Sequence, residues 1–173
     1  MRQYGILLIL GLVFAFIAFQ ARTGIFRLKH SGEPANKYMR QMMENPQLSE
    51  TDAAILRANY GTAHVTPTGL RYLKRTPGTG NPPALGNEVV VHYDGYLMDG
   101  TKFDSSRDRG TPFTFRVGTG YVIKGWDEAL ATMKKGESRT LIVPWWLAYG
   151  EDGKGNIPSK ATLRFEVELL EIK

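Results

Sequence analysis

EVVVHYDGYL, residues 88–97, is the stretch whose reading decides how this chain folds. Three valines and two tyrosines in ten residues suit a pleated, half-buried surface, because β-branched and aromatic side chains lose rotamer freedom against a helical turn. Two residues further on, Asp99-Gly100 marks a tight turn between Leu97 and Lys102.

Other runs repeat this character on both sides. Residues 70–74, 112–117, 138–143 and 162–170 are rich in β-branched or aromatic residues and are separated by Gly and Pro. One segment differs. Over residues 124–133, Trp126, Ala129, Leu130 and Met133 recur at helical spacing, with Gly136 beyond the end. The expected fold class is α+β, an antiparallel sheet folded over a single helix.

Composition narrows the chemistry. Among 173 residues there are 22 Lys and Arg, 17 Asp and Glu and no Cys, which excludes thiolate catalysis, disulfides, Cys-ligated metals and lipidated cysteine. The net charge of +5 is not concentrated: residues 1–65 hold seven basic and four acidic side chains, leaving fifteen and thirteen for the rest. No basic run interleaved with aromatics appears, so nucleic acid is not an expected partner.

Residues 4–19, YGILLILGLVFAFIAF, carry no charge, and Arg2 and Arg22 bracket 19 positions. As a helix these reach about 28 Å, close to the ~30 Å hydrocarbon core of a bilayer. A buried core helix would show a polar stripe, and a cleaved signal would place small residues at both key sites. Here Ala18 follows Phe16 and Ala21 follows Phe19 at that spacing. A retained anchor, contacting the membrane through residues 4–21, is favoured over a cleaved signal. Arg22, Arg27, Lys29, Lys37 and Arg40 trail the segment; counted literally they would hold the rest of the chain in the cytoplasm, but long trailing domains translocate largely regardless of charge. The expectation is an extracytoplasmic, periplasmic main domain.

The expected division is therefore an anchor or uncleaved signal at 1–22, a helical connector at 23–65 and a main domain at 66–173. Within the connector, residues 36–44 form a Met-bearing helical pattern that stops before Pro46. A second helix begins at Ser49, able to cap with Asp52 three residues on, and ends towards Gly61. The Met-rich stretch reads either as a small packed helix or as a contact surface.

No HExxH, EF-hand, GxSxG or phosphate-loop pattern occurs, and His30, His64 and His92 stand far apart. No metal or cofactor is expected, and His92 reads as a packed or hydrogen-bonded histidine. Gly78-Thr79-Gly80 and Gly118-Thr119-Gly120 lack the third glycine of a dinucleotide loop and read as turns. What stands out is the density of aromatics between Tyr93 and Phe165. Spacing alone cannot separate a packed interior from a pocket.

VVVHYDGYL (89–97), GTKFDSSRDRGTPFTFRVG (100–118), VIKGWDEALATMKKGE (122–137), LAYG (147–150) and IPSKATLRFEVELLEI (157–172) resemble, in order, segments of FKBP-type peptidyl-prolyl cis-trans isomerases. The likeness covers roughly residues 66–173, and the anchor-plus-spacer layout is similar to membrane-anchored bacterial members. It implies a half-barrel of antiparallel strands wrapped around the helix, with a proline-binding cavity between them. It also implies a site: Trp126 as floor, Tyr93, Phe103, Phe113, Val122, Ile123, Tyr149, Ile157 and Phe165 as walls, and Asp104 at the rim held by Arg109. Asp104, Tyr149, Ile123 and Trp126 would carry the rotation. Expected ligands are proline-containing polypeptide clients, with macrolide inhibitors as a further class. The rival function is a non-catalytic chaperone or adaptor that binds Pro-containing segments. Two features depart from the pattern: Trp145-Trp146 before the 148–150 turn, which reads as packing or as an exposed contact, and the polar run 150–156 before Ile157.

Overall fold

The structure, a computed structural model, describes residues 48–173. The expected anchor at 4–21 and the helical pattern at 36–44 lie outside the described residues. Among the described residues no helix is long and apolar enough to cross a membrane.

The chain enters with helix α1 (Glu50–Asn59), where the Ser49 hydroxyl accepts from the Asp52 N–H at 3.0 Å, the cap that the Ser/Asp spacing predicts. The helix ends at Tyr60, and Gly61 follows without adopting a left-handed conformation. Strands β1 (His64–Val65), β2 (Arg71–Thr76), β3 (Glu88–Leu97), β4 (Lys102–Ser105) and β5 (Phe113–Arg116) come next. Helix α2 (Lys124–Leu130), strand β6 (Ser138–Val143), one 3₁₀ turn (Trp145–Leu147) and strand β7 (Leu163–Ile172) complete the order.

All strands pair antiparallel in one sheet of order β1-β2-β6-β7-β3-β4, with β5 also on β3. The sheet thus takes its first pair, His64 opposite Tyr72, two residues before position 66. Strand β3 is the backbone of the arrangement. β7 pairs along one edge from Val89 to Leu97, while the other edge is shared by β5 on Glu88–Val91 and β4 on Asp94–Tyr96. Between β4 and β5 the chain leaves the sheet as a loop, pinned where the Tyr93 N–H donates to the Ser106 hydroxyl at 2.8 Å and the Ser106 N–H donates to the Tyr93 carbonyl at 3.0 Å.

The pleat of β3 sends Val89, Val91, Tyr93 and Gly95 inward, and β7 does the same with Leu163, Phe165, Val167 and Leu169. Helix α2 lays Trp126, Ala129 and Leu130 on that inner face, each buried side chain stabilising the fold by roughly 1.5–3 kcal/mol for the large ones. The approach is close because Gly125 has no Cβ: one built there would meet Val143 Cγ1 at 2.5 Å. The helical spacing overshoots the helix by three residues. After the Ala131 cap the chain continues in turns, Thr132 N–H to Ala129 and Met133 N–H to Leu130, and these keep Met133 fully buried.

The paired tryptophans are packing. Trp145 is 6% exposed, and the Trp146 indole donates to the Thr68 carbonyl at 2.9 Å and lies over Gly69, where an added Cβ would sit 2.9 Å from the ring. His92 is hydrogen-bonded through Nδ1 to the Ser106 hydroxyl at 2.9 Å.

Candidate active site

Between the inner face of the sheet and the N-terminal end of α2 lies a cavity of about 620 Å³. At its base is Trp126, 4% exposed, with a wall of rings set edge-on around it. Tyr93 stands at 4.9 Å between centroids and 85°, Phe165 at 5.3 Å and 78°, and Phe113 at 6.2 Å and 68°. Edge-to-face geometry of this kind is the favoured one for aromatic quadrupoles, and it locks the rings against one another. The indole N–H is buried and finds no hydrogen-bond partner among the described residues.

Phe103 reaches the cavity because Gly95 leaves room for it. A Cβ at Gly95 would meet the Phe103 ring at 2.8 Å and the Phe165 ring at 3.1 Å, and those two rings themselves meet at 90°. Val122 and Ile123 arrive on the segment just before α2. That segment is held by Asp127, whose two carboxylate oxygens accept the Gly118 N–H at 2.8 Å and the Gly120 N–H at 2.9 Å. Ile123 spends its carbonyl on the Trp126 and Asp127 N–H groups, while none of the hydrogen bonds among the described residues uses its own N–H. Tyr149 also borders the cavity, its hydroxyl likewise without a hydrogen bond among the described residues. Burial, reinforced by the charge of Asp104, pushes its pKa above the usual tyrosine value, so it stays a proton donor at neutral pH.

The rim is a three-residue cluster. The Tyr93 hydroxyl donates to Asp104, Arg109 ion-pairs with Asp104 through one guanidinium nitrogen, and its other nitrogen donates to the Tyr93 oxygen at 2.9 Å. Burial by itself would raise the pKa of Asp104. The hydrogen bonds from Tyr93 and Arg109, the Arg109 charge and the Ser105 N–H outweigh it and hold the carboxyl below the usual carboxylate range. Asp104 is therefore a fixed anion and not a general acid. Among the described residues no histidine borders the cavity, and no cluster of three metal-ligating side chains occurs.

Of the residues named from the sequence, Tyr93, Phe103, Asp104, Phe113, Val122, Ile123, Trp126, Tyr149 and Phe165 border this one cavity. Arg109 touches it through Asp104. Ile157 stands apart: it is 8% exposed and bonded through both backbone groups to Lys154 in the polar loop. The sequence reading missed Tyr121, Lys124 and Lys154, which also border the cavity. Tyr121 is 73% exposed and stacks on Phe113 at 6.4 Å and 18°, an arrangement no spacing rule reveals.

The family model for FKBP-type peptidyl-prolyl cis-trans isomerases matches residues 80–170, which span all of this site. The chain belongs to that family. The FKBP domain is 54% identical to FK506-binding protein 1 of Dictyostelium discoideum over 97 residues, 56% of this chain and 91% of that one. It is 49% identical to the peptidyl-prolyl cis-trans isomerase Fkbp12 of Drosophila melanogaster over 107 residues, 61% of this chain and 99% of that one. The crystal structure of FkpA from Escherichia coli is similar with a TM-score of 0.65 and 34% identity, over 94% of this chain and 71% of that one. The protein is a peptidyl-prolyl cis-trans isomerase with the FKBP-type antiparallel sheet and helix.

Proposed function

We propose that the 620 Å³ cavity is where the Xaa-Pro bond turns, with the prolyl ring on the Trp126 indole and the walls excluding water. The barrier to this rotation is ~18–20 kcal/mol and consists mainly of lost amide resonance. A planar amide has more charge separation than a twisted one, so an aromatic, water-poor surround favours the twisted form relative to the planar form. The rotation needs no nucleophile and no proton transfer. The Ile123 N–H and the Tyr149 hydroxyl, both unspent, are placed to hold substrate carbonyls, and Asp104, kept ionised and fixed by Tyr93 and Arg109, orients the twisted carbonyl through a neighbouring donor. Phe103, Phe113, Val122 and Phe165 supply the walls. Ile157 acts from behind, closing the loop that carries Lys154. Each tenfold in rate corresponds to about 1.4 kcal/mol, so a few contacts made only with the twisted form are sufficient.

The observation that carries this reading is the accessible ring-lined hollow with Trp126 at its base. Tyr149→Phe in the full-length chain tests it: kcat/KM on an Xaa-Pro peptide is expected to fall about fivefold to tenfold, the value of one hydrogen bond of roughly 1–1.5 kcal/mol. An unchanged rate in a folded variant removes Tyr149 from the mechanism. Proline-containing polypeptides are the proposed clients, and macrolides of the FK506 kind, after which the Dictyostelium relative is named, are proposed ligands of the same cavity.

The proposed organisation is a membrane-anchored bacterial isomerase: anchor at 1–22, helical connector at 23–65, FKBP domain at 66–173 on the extracytoplasmic side, acting on exported proteins. Its support is the uncharged run 4–19 between Arg2 and Arg22. Expressed in bacteria, the chain should sediment with membranes through carbonate washing, and its FKBP domain should be digested by protease added to spheroplasts. Recovery in the soluble fraction, or protection of the domain, rejects the anchor or the side respectively.

A further inference from the structure

Tyr121 belongs to two hollows at once. It borders the cavity over Trp126, and it also borders a second hollow of about 250 Å³ whose other lining residues are Thr114, Phe115, Arg116 and Thr119. Rings run continuously from one to the other: Tyr121 stacks on Phe113 at 6.4 Å and 18°, and Phe113 stacks on Phe115 at 5.6 Å and 25°.

The loop that carries Tyr121 is fixed by the Asp127 carboxylate on the Gly118 and Gly120 N–H groups and by the Thr119 hydroxyl, which donates to the Arg116 carbonyl at 2.9 Å. Yet Tyr121 itself is 73% exposed, and Leu85, 78% exposed, lies against the same loop, where a Cβ at Gly118 would meet its Cδ2 at 2.5 Å. These are two of the three large apolar side chains exposed among the described residues, Val65 being the third. Exposed apolar groups gathered beside a cavity mark a contact surface, unlike singly scattered ones.

The second hollow has its own chemistry. The Thr119 hydroxyl is engaged, and the Arg116 guanidinium donates to the Gly86 carbonyl at 3.1 Å. None of the five lining residues is acidic, and Arg116 disfavours a cation. The rings of Phe115 and Tyr121 then suit an uncharged, apolar side chain. From Trp126 to Phe113 the centroids stand 6.2 Å apart, and from Phe113 to Tyr121 6.4 Å. Two such steps are spanned by two or three extended residues, at ~3.3–3.6 Å each, plus the reach of a side chain.

We infer that the second hollow is a selectivity subsite, in which the client crosses the Tyr121 ring and seats an apolar side chain two or three residues from the proline. The inference rests on the assignment of the Trp126 cavity as the place of rotation.

The test uses the full-length chain and protease-free NMR exchange measurements on short peptides with Ala directly before the proline. Leu, the similarly sized polar Asn, or Glu is placed at the second or third residue on either side. At one of these positions kcat/KM for Leu should exceed that for Asn about fivefold, the scale of half-burying one such side chain. Tyr121→Ala should bring that ratio close to one. Thr114→Glu, at an exposed position of β5 that lines only the second hollow, should do the same. Each variant is judged by its own ratio, so a general change in activity does not blur the reading. A ratio of one at every position overturns the inference alone. So does a Glu peptide faster than its Leu counterpart. If Tyr121→Ala slows Leu and Asn peptides equally and leaves the ratio intact, Tyr121 only braces Phe113 and the inference falls. Absence of turnover on every peptide overturns it together with the assignment of the cavity.

Discussion

Trp126→Ala is expected to lower kcat/KM on an Xaa-Pro peptide about 100-fold, a loss of roughly 3 kcal/mol of transition-state stabilisation and the largest from any single change in the cavity. The reason lies in the contacts. Trp126 touches Tyr93, Phe113, Phe115 and Phe165 at centroid distances between 4.9 and 6.2 Å, so deleting the indole removes the surface under the prolyl ring and the brace of the walls. Water then enters and restores the hydration that favours the planar amide. The same truncation should cost about 3–5 kcal/mol of stability, as for large aromatic side chains in packed interiors. Activity must therefore be read below the melting point of the variant, with near-UV circular dichroism as the check on folding. Trp126→Phe separates the two effects: it keeps an aromatic ring at the base and loses the pyrrole half of the indole, whose N–H has no hydrogen-bond partner among the described residues, so it should retain more of the stability than Trp126→Ala and an intermediate rate. A folded Trp126→Ala protein with undiminished turnover would show that rotation happens elsewhere.

The second large effect concerns stability. Glu137 and Arg139 form an ion pair at 2.6 Å with side chains 4% and 2% exposed. Arg139 also donates to Thr132 Oγ1 at 2.8 Å and to the Thr132 carbonyl at 2.9 Å, and it lies 4.6 Å from the centre of the Tyr72 ring. Glu137→Ala leaves this guanidinium buried without its anion, and the expected loss is about 3–5 kcal/mol, read as a lower urea midpoint. A midpoint within error of the parent would mean that water reaches Arg139 and the pair contributes little. The pair has an acid signature as well. Burial alone would raise the pKa of Glu137, but the hydrogen bond from Arg139, the Lys134 N–H and the positive charges nearby bring it below the usual 4.5. The folded value lies below the unfolded one, so the contribution is complete above about pH 4.5 and is lost as pH falls through the depressed folded value. Glu137→Gln should flatten that part of the acid unfolding profile.

Strand β3, the turn after it and helix α2 are legible in the sequence because their signals are local: alternating β-branched and aromatic residues, an Asp-Gly pair, apolar residues at helical spacing. Strand β4 is not, since Lys102–Ser105 has no apolar alternation and pairs only because β3 offers an edge. The two-residue strand β1 exists for the same reason. The site shows the limit of pattern more sharply. Phe113 and Phe115 share one face of β5, yet Phe113 borders the cavity and Phe115 lies in the interior at 4% exposure. What separates them is the position of α2 across the sheet, a tertiary fact. Ordered likeness to a known family supplied that fact for the walls. It did not supply Lys154 or Tyr121, whose places depend on how this chain closes its own loops.

The way β3 shares one edge between two short strands has an evolutionary consequence. The excursion from Ser106 to Pro112 begins and ends beside the same strand, so its length is uncoupled from sheet register, and doubling it would add only about 0.6 kcal/mol of closure entropy. The aromatic floor and the Arg109-bearing loop of this enzyme therefore lie on separate parts of the chain. Duplicated copies can lengthen or recompose that loop, and so change the chains they accept, while inheriting an unaltered aromatic floor.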